Sequence, residues 1–356
     1  TVTTDPAERA ELQVMAASPA WASGSLEDGE GYVRPAVEWY LANGYEAEAD
    51  DAIATMAGWL LHTSWTEGLR ELLESRVADL DDASAGPRAP RLLNELARSY
   101  LFAQRVDDAL VVLDRGLHIA ERLLLEPEMA ELFATKSWAA GLTGRHRESQ
   151  LLAEGSLQIA ERHGMVNTQL RARMNLSDLY VGSEPRRGYE IAKSGVDLAE
   201  RVGHISWAAA LAGNESFAGL VLGEWHSPIQ RAEELDRPQV TAYARLGLLS
   251  TAAVARAYLG LPGDRVQDPE QEGSFGAGAD VAQTRAGLSA FRAWEGFASG
   301  DLEDVDRLAV ASAQGTANFG EAALALCQAV HAVIWLRDRE RLVAALDSIS
   351  AHGLAG

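Results

Sequence analysis

Three seven-residue segments recur in this chain at nearly constant spacing: Gly116-Leu-His-Ile-Ala-Glu-Arg122, Ser156-Leu-Gln-Ile-Ala-Glu-Arg162 and Gly195-Val-Asp-Leu-Ala-Glu-Arg201, offset by 40 and 39 residues. A period of that size marks stacked supersecondary units, none of which can bury its apolar face alone. The chain is therefore expected to fold as an all-α helical solenoid. Solenoids work by offering a long surface to a partner.

The 356 residues exceed the ~250–300 at which a single globular core stops growing, so one elongated array or several domains are required. Apolar residues make up 47% and charged residues 23%, enough to bury a core. No uninterrupted apolar run approaches the ~18 residues of a membrane span, and no basic start followed by an apolar stretch suggests a secretory signal. A cytoplasmic location is therefore expected, and the first residue, Thr1 and not Met, suggests an excised fragment. A net charge of −21 opposes direct binding of nucleic acid, since no basic run offsets it. Lys136 and Lys193 are the only lysines, and the single cysteine, Cys327, excludes an internal disulfide.

Helical spacing runs through nearly the whole sequence, with no convincing strand. Leu93, Leu96, Ala97 and Tyr100 step by three and four along a first helix; Asp107 and Asp108 open a second, apolar around more than half its circumference. Glu126-Pro127 is expected to end it. Arg162 and Arg201 suit the last turns of later helices, with Gly164 and Gly203 as left-handed caps; Ser183 and Pro185 suit a helix start. Gly223, Gly260, Gly300 and Arg337-Asp-Arg339 mark further turns, leaving Leu342–Ile349 as a closing helix. The boundaries predicted are a lead segment with a short helix at 1–27 and an N-terminal helical subdomain at 28–86. Long repeats follow at 87–261, a flexible Gly/Pro loop at 262–280, and C-terminal repeats at 281–356. Within the subdomain, helices are expected at 32–43, 46–62 and 65–79, with Gly44 between the first two.

The residues within the period select the repeat type. Leu93, Leu96-Ala97, Tyr100, Ala109 and Leu113 follow the tetratricopeptide order of large, Leu-small and Tyr in the first helix, then Ala and a large apolar residue in the second. Leu176-Ser177 and Tyr180 repeat part of it. HEAT and armadillo repeats match the length but lack this order. Ala36-Val-Glu-Trp-Tyr-Leu-Ala-Asn-Gly44, Glu67-Gly-Leu-Arg-Glu-Leu-Leu-Glu74 and Arg91 to Arg122 add a further likeness. Residues 31–203 resemble the tetratricopeptide-rich C-terminal regions of bacterial STAND-type signalling ATPases, including those fused to nucleotide cyclases or DNA-binding regulators. The resemblance implies a right-handed superhelix of antiparallel helix pairs that serves as a sensor or scaffold, with a nucleotide-binding domain upstream.

Chemical motifs are sparse. Gly-x-x-x-x-Gly-Lys and Gly-x-Ser-x-Gly do not occur. Gly273-Ser-Phe-Gly-Ala-Gly278 has no following Lys and reads as a loop. His146-Arg-Glu148 has His-x-Glu spacing, but no Pro-Cys-x-x-Cys completes a zinc deaminase set. Cys327 and His331 could share a helical face, yet two ligands do not close a zinc site, and packed core residues are the plainer reading. Glu46, Glu48, Asp50 and Asp51 could hold a cation or simply be solvated. No catalytic residue, metal or cofactor is predicted.

The concave groove is the sharper expectation, because the first helix of each tetratricopeptide unit lines it. Family-equivalent positions are Arg91, Asn94 and Arg98 in the first unit, Trp138 in the second, and Arg171, Met174 and Asp178 in the third. Phe217 and Trp294 stand where Trp138 stands, in later units. Aromatics with guanidinium groups would suit an extended peptide bearing apolar and acidic side chains; the alternative is that the aromatics pack between helices and the arginines are solvated. The expected function is a non-catalytic ligand-sensing or protein-binding module of a STAND-type regulator. The alternative is a stand-alone peptide receptor or assembly scaffold.

Overall fold

A computed structural model describes residues 3–23, 25–59, 66–78, 80–237, 240, 242–263, 281–314 and 319–351. Among these residues there are seventeen helices and no strand. The first four are α1 (Pro6–Ala22), α2 (Leu26–Ala42), α3 (Glu46–Ala57) and α4 (Thr66–Val77). Next come α5 (Ala89–Phe102), α6 (Val106–Arg122), α7 (Glu126–Leu142), α8 (His146–Arg162), α9 (Val166–Val181) and α10 (Pro185–Arg201). The remainder are α11 (Ile205–Leu222), α12 (His226–Leu235), α13 (Ala242–Leu259), α14 (Val281–Ser299), α15 (Val305–Gln314), α16 (Phe319–Leu336) and α17 (Arg339–Ala351). The fold is an all-α helical-repeat solenoid, as the period requires.

The N-terminal lead is longer than predicted. α1 runs for 17 residues and is capped by the Asp5 carboxylate, which accepts from the Ala7 amide at 3.0 Å. Its Trp21 is fully buried and stacks on Trp59, with ring centroids 5.5 Å apart. Pro127 also does something other than expected. It stands in the first turn of α7, where a missing amide hydrogen costs nothing, while α6 has already ended at Arg122. Leu124 at φ 57° makes that turn in the left-handed region.

Left-handed residues close the helices at the repeat's own spacing. Gly164 and Gly203 do so at φ 65° and 74°, as do Gly223, Gly260 and Gly300. Gln104, Leu124 and Arg337 adopt the same conformation without being glycine, at the ~1–2 kcal/mol it costs an L-residue. Packing, and not the local residue, sets the turn there.

The described residues form two compact units, those within 3–175 and 199–206 in one and those within 176–198, 207–263 and 281–351 in the other. In the first unit α5 packs against α3, α6 and α7. It is therefore enclosed, and Leu92, Leu93, Leu96, Ala97, Tyr100 and Leu101 are all buried. The second helix, apolar around more than half its circumference in sequence, is less enclosed: α6 keeps Val111 exposed and buries one side. In the second unit α14 packs against α13, α15 and α16. α11 and α13 approach closely, since a Cβ on Gly213 would lie 3.4 Å from the carbonyl carbon of Gly247. α11 is also long and apolar enough to cross a membrane by length and composition, yet 67% of that stretch is buried inside the protein. It is a core helix in this fold.

The small residue that opens each recurring segment sits where helices cross. A Cβ on Gly116 would meet Leu132 Cδ2 at 2.8 Å, and one on Gly195 would meet Leu211 Cδ1 at 2.9 Å. Ser156 fits the middle copy, where the period places Ala172 in the position of Leu132 and Leu211. Its buried hydroxyl donates to the Ala130 carbonyl at 2.7 Å.

Candidate functional site

The repeat brings the first helices α3, α5 and α7 side by side in the first unit. Polar residues recur on such helices at the repeat spacing: Asn94, Thr135, Asn175 and Asn214 are separated by 41, 40 and 39 residues. Of these, only Asn94 entered the sequence-based site, and it is fully buried. That is a correction, and its reason is the enclosure of α5. Its amide works internally: Nδ2 donates to Glu95 at 3.0 Å, and Oδ1 accepts from the Thr135 hydroxyl at 2.6 Å. Asn175 is half-buried and donates to the Ala134 carbonyl at 2.8 Å. Its own carbonyl oxygen has no partner among the described residues. In the second unit Asn214 donates to the Ser177 hydroxyl at 2.9 Å. The spacing of 41, 40 and 39 residues is the signal in the sequence that marks these positions.

Around that row in the first unit lie Arg91, Arg98, Arg171, Glu95 and Glu131. Arg98 is held: it pairs with Glu95 and donates to the carbonyls of Ala57 and Gly58 at 3.4 and 3.3 Å. Arg91 has only the Thr55 hydroxyl, at 3.3 Å. Arg171 has only the Thr135 hydroxyl, at 3.4 Å. Arg171 is partly exposed, yet surrounding protein desolvates it and Arg98 repels it, lowering its pKa to about 10. Glu131 lies in the same environment; desolvation pushes its carboxyl up, against the pull of Arg171, Arg91 and Arg98. Trp138 is half-buried and packs on Phe102, centroids 4.9 Å apart, at the edge of the core. Met174 is half-buried on α9.

The second unit treats its predicted residues differently. Phe217 and Trp294 are 5% and 6% exposed and meet edge to face at 5.8 Å. The Trp294 indole donates to the Tyr258 hydroxyl at 2.9 Å. These are core residues, and their assignment to a ligand surface is corrected: the helix pairs close over them. Asp178 is half-buried, and desolvation lifts its pKa to about 7. No hydrogen-bond partner answers it among the described residues.

Other sequence-level candidates resolve plainly. Arg76 pairs with Asp50 and Glu46, and Arg88 with Asp51, so arginines occupy the acidic run. Cys327 and His331 are exposed on α16, contrary to the core placement expected of them. Among the described residues no cluster of His, Cys, Asp or Glu could hold a metal ion. The loop expected at 262–280 and Gly273–Gly278 within it lie almost wholly outside the described residues.

His204 was not anticipated. Its ring is buried and stacks on Trp59 at 5.4 Å, and its Nδ1 has no partner. Burial lowers its pKa to about 4. Because the unfolded value is higher, near 6.5, the unfolded chain takes up the proton first. Stability is then full above about pH 6.5 and is lost as pH falls toward 4. His204→Phe keeps the stack and removes the titration. Denaturant melts across pH 4–7 should show the variant less sensitive to acid; an unchanged acid limb would reject this account.

No protein-family model matches the chain, and no curated protein matches it. Solved structures do. A Rap protein complexed with competence and sporulation factor aligns over 98% of both chains with a TM-score of 0.64 and 11% identity. The apo form of RapI aligns over 93% of this chain and 99% of its own, with a TM-score of 0.50 and 14% identity. The fold is that of tetratricopeptide-like helical-repeat proteins. At such identities the likeness concerns the fold alone, and a STAND-type setting finds no match in it.

Proposed function

We propose that this chain is a non-catalytic tetratricopeptide-like receptor that binds an extended peptide or protein segment on the first helices of its repeats. Asn175 carries the reading: it is half-buried on α9 and spends its side-chain N–H on the Ala134 carbonyl, leaving its side-chain oxygen to accept from a ligand. A side-chain amide that both donates and accepts suits a backbone in extended conformation. The fold neighbour complexed with competence and sporulation factor supports it, since that protein binds its ligand on the same architecture. Arg171, Met174 and Trp138 would supply side-chain contacts.

The place of the receptor in a larger protein is a further proposal. The segments at 36–44, 67–74 and 91–122 favour a cytoplasmic STAND-type bacterial regulator, in which ligand binding would bias an upstream nucleotide switch. A Walker motif encoded ahead of Thr1 in the full gene would support that setting over a stand-alone receptor or scaffold.

The binding claim is tested by panning a display library of short random peptides against the chain. Selected peptides should lose about fivefold to tenfold in affinity with Asn175→Ala, the scale of a buried hydrogen bond. They should also weaken as salt rises, through the arginines, without losing binding altogether. Trp138→Ala should weaken them too and lower the melting temperature, because the ring is part of the core edge. Exposed Glu121→Ala is the control. Selected peptides that bind Asn175→Ala and Trp138→Ala as tightly as wild type would place the working surface elsewhere.

A further inference from the structure

A helix pair at the end of a stack keeps its outer face polar if nothing is to cover it. The α16–α17 pair has no following helix among the described residues, and its outer face is apolar. Matching helix ends fix the register between α14 and α16. The Asp301 amide donates to the Gly296 carbonyl at 2.9 Å, and 37 residues on the Asp338 amide donates to the Val333 carbonyl at 3.3 Å. That offset pairs Ala290, Ala293 and Phe297 of α14 with Cys327, Val330 and Ile334 of α16. The α14 residues lie in or against the core that α14 and α15 share with Ala325, Leu326, Ala329 and Ala332 of α16. Their α16 counterparts are open: Cys327 is exposed, Val330 is half-buried and Ile334 is 54% exposed. α17, which packs on α16, exposes Val343 and Leu346 as well. α16 itself rests on both α14 and α15, so whatever covers the stripe on α16 also meets α17.

Charge says what the cover is. Arg339 and Asp347 stand four residues before and after Val343, so all three follow one side of α17. Neither forms an ion pair among the described residues. Nearby arginines are taken up by their own chain, Arg341 by Asp306 and Arg307 by Asp304. In an antiparallel two-fold contact centred on Val343, Arg339 meets Asp347 of the partner subunit, and the pair forms twice. The face is thus self-complementary, apolar against apolar with opposite charges at its two ends. We propose that the outer face of α16 and α17 is a self-association surface, on which a second copy of this chain docks with its own α16 and α17 about a two-fold axis. The proposal is independent of the peptide-receptor reading.

Sedimentation equilibrium of the full chain tests it, at concentrations from about 1 to about 100 µM. Wild type should show a reversible monomer–dimer equilibrium and no larger species, because a two-fold contact closes on itself. Ile334→Ser and Leu346→Ser should each raise the dimer dissociation constant about tenfold or more, since every substitution removes buried apolar surface twice per dimer. Both residues are exposed in the single chain, so circular dichroism melts should match wild type. Val111→Ser, at an exposed apolar residue of α6, is the control and should leave the dimer unchanged. Arg339→Asp and Asp347→Arg should each weaken the dimer, and the chain carrying both should recover most of the wild-type affinity. A chain that stays monomeric throughout would overturn the proposal and leave the face to a helix of another protein or of a continuation of this one. A dimer indifferent to Ile334→Ser and Leu346→Ser would overturn it too. So would a double charge exchange that restores nothing the single ones lose.

Discussion

Gly116→Leu should destabilise the chain by about 3 kcal/mol, the upper end of what overpacking a closed core costs. A single Cβ at that position already comes within 2.8 Å of Leu132 Cδ2, and Leu132 is fully buried. Leucine adds three further carbons to the same gap. Gly116→Ala is a useful intermediate, because the end of Leu132 can shift slightly and alanine gains up to ~1 kcal/mol of helix propensity over glycine. Glu121, exposed and five residues along the same helix, should tolerate substitution within about 0.5 kcal/mol. Urea melts of the four proteins give the order directly. If Gly116→Leu melts with wild type, the crossing of α6 and α7 is misdrawn, and with it the register of the repeats.

Asp178→Asn should stabilise the protein at neutral pH and above. The Asp178 carboxyl lies in a desolvated position on α9 and titrates at about 7, whereas in the unfolded chain it titrates near 3.9. Between those values the folded protein holds the extra proton, so stability falls as pH rises from about 4 to 7 and then levels off. A gap of about three pK units sets a ceiling near 4 kcal/mol. Asparagine keeps the shape and removes the charge. The variant's advantage should be large at pH 8 and should vanish by pH 4. His204 titrates across much of the same window in the opposite sense, so wild type alone should show a shallow profile in acid. The two variants should tilt it in opposite directions, His204→Phe downward with rising pH and Asp178→Asn upward. An advantage of Asp178→Asn that does not change between pH 4 and pH 8 would mean that the carboxyl is solvated or paired.

How much of this was legible beforehand depends on the kind of residue. The helical-repeat fold was written in the recurrence at Gly116, Ser156 and Gly195, because a stacked unit must offer the same small residue wherever its neighbour crosses. The turns at Gly164, Gly203, Gly223 and Gly300 were readable for a related reason: few other residues take positive φ without cost. Gln104 and Leu124 take the same conformation and were invisible, since there the packing of two helices forces the turn on an ordinary side chain.

The candidate site divides similarly. Spacing placed Arg91, Arg98, Trp138 and Arg171 on first helices, and period determined that much. It could not tell an enclosed helix from an open one, so Asn94, Phe217 and Trp294 were assigned to a surface that the tertiary structure closes. Nor could it show that Arg98 is satisfied by Glu95 while Arg91 and Arg171 meet only hydroxyls. Sequence periodicity is a property of one helix and its repeat. Burial, desolvation and ion pairing depend on which neighbouring helices arrive at the same place, and only the packed protein decides that.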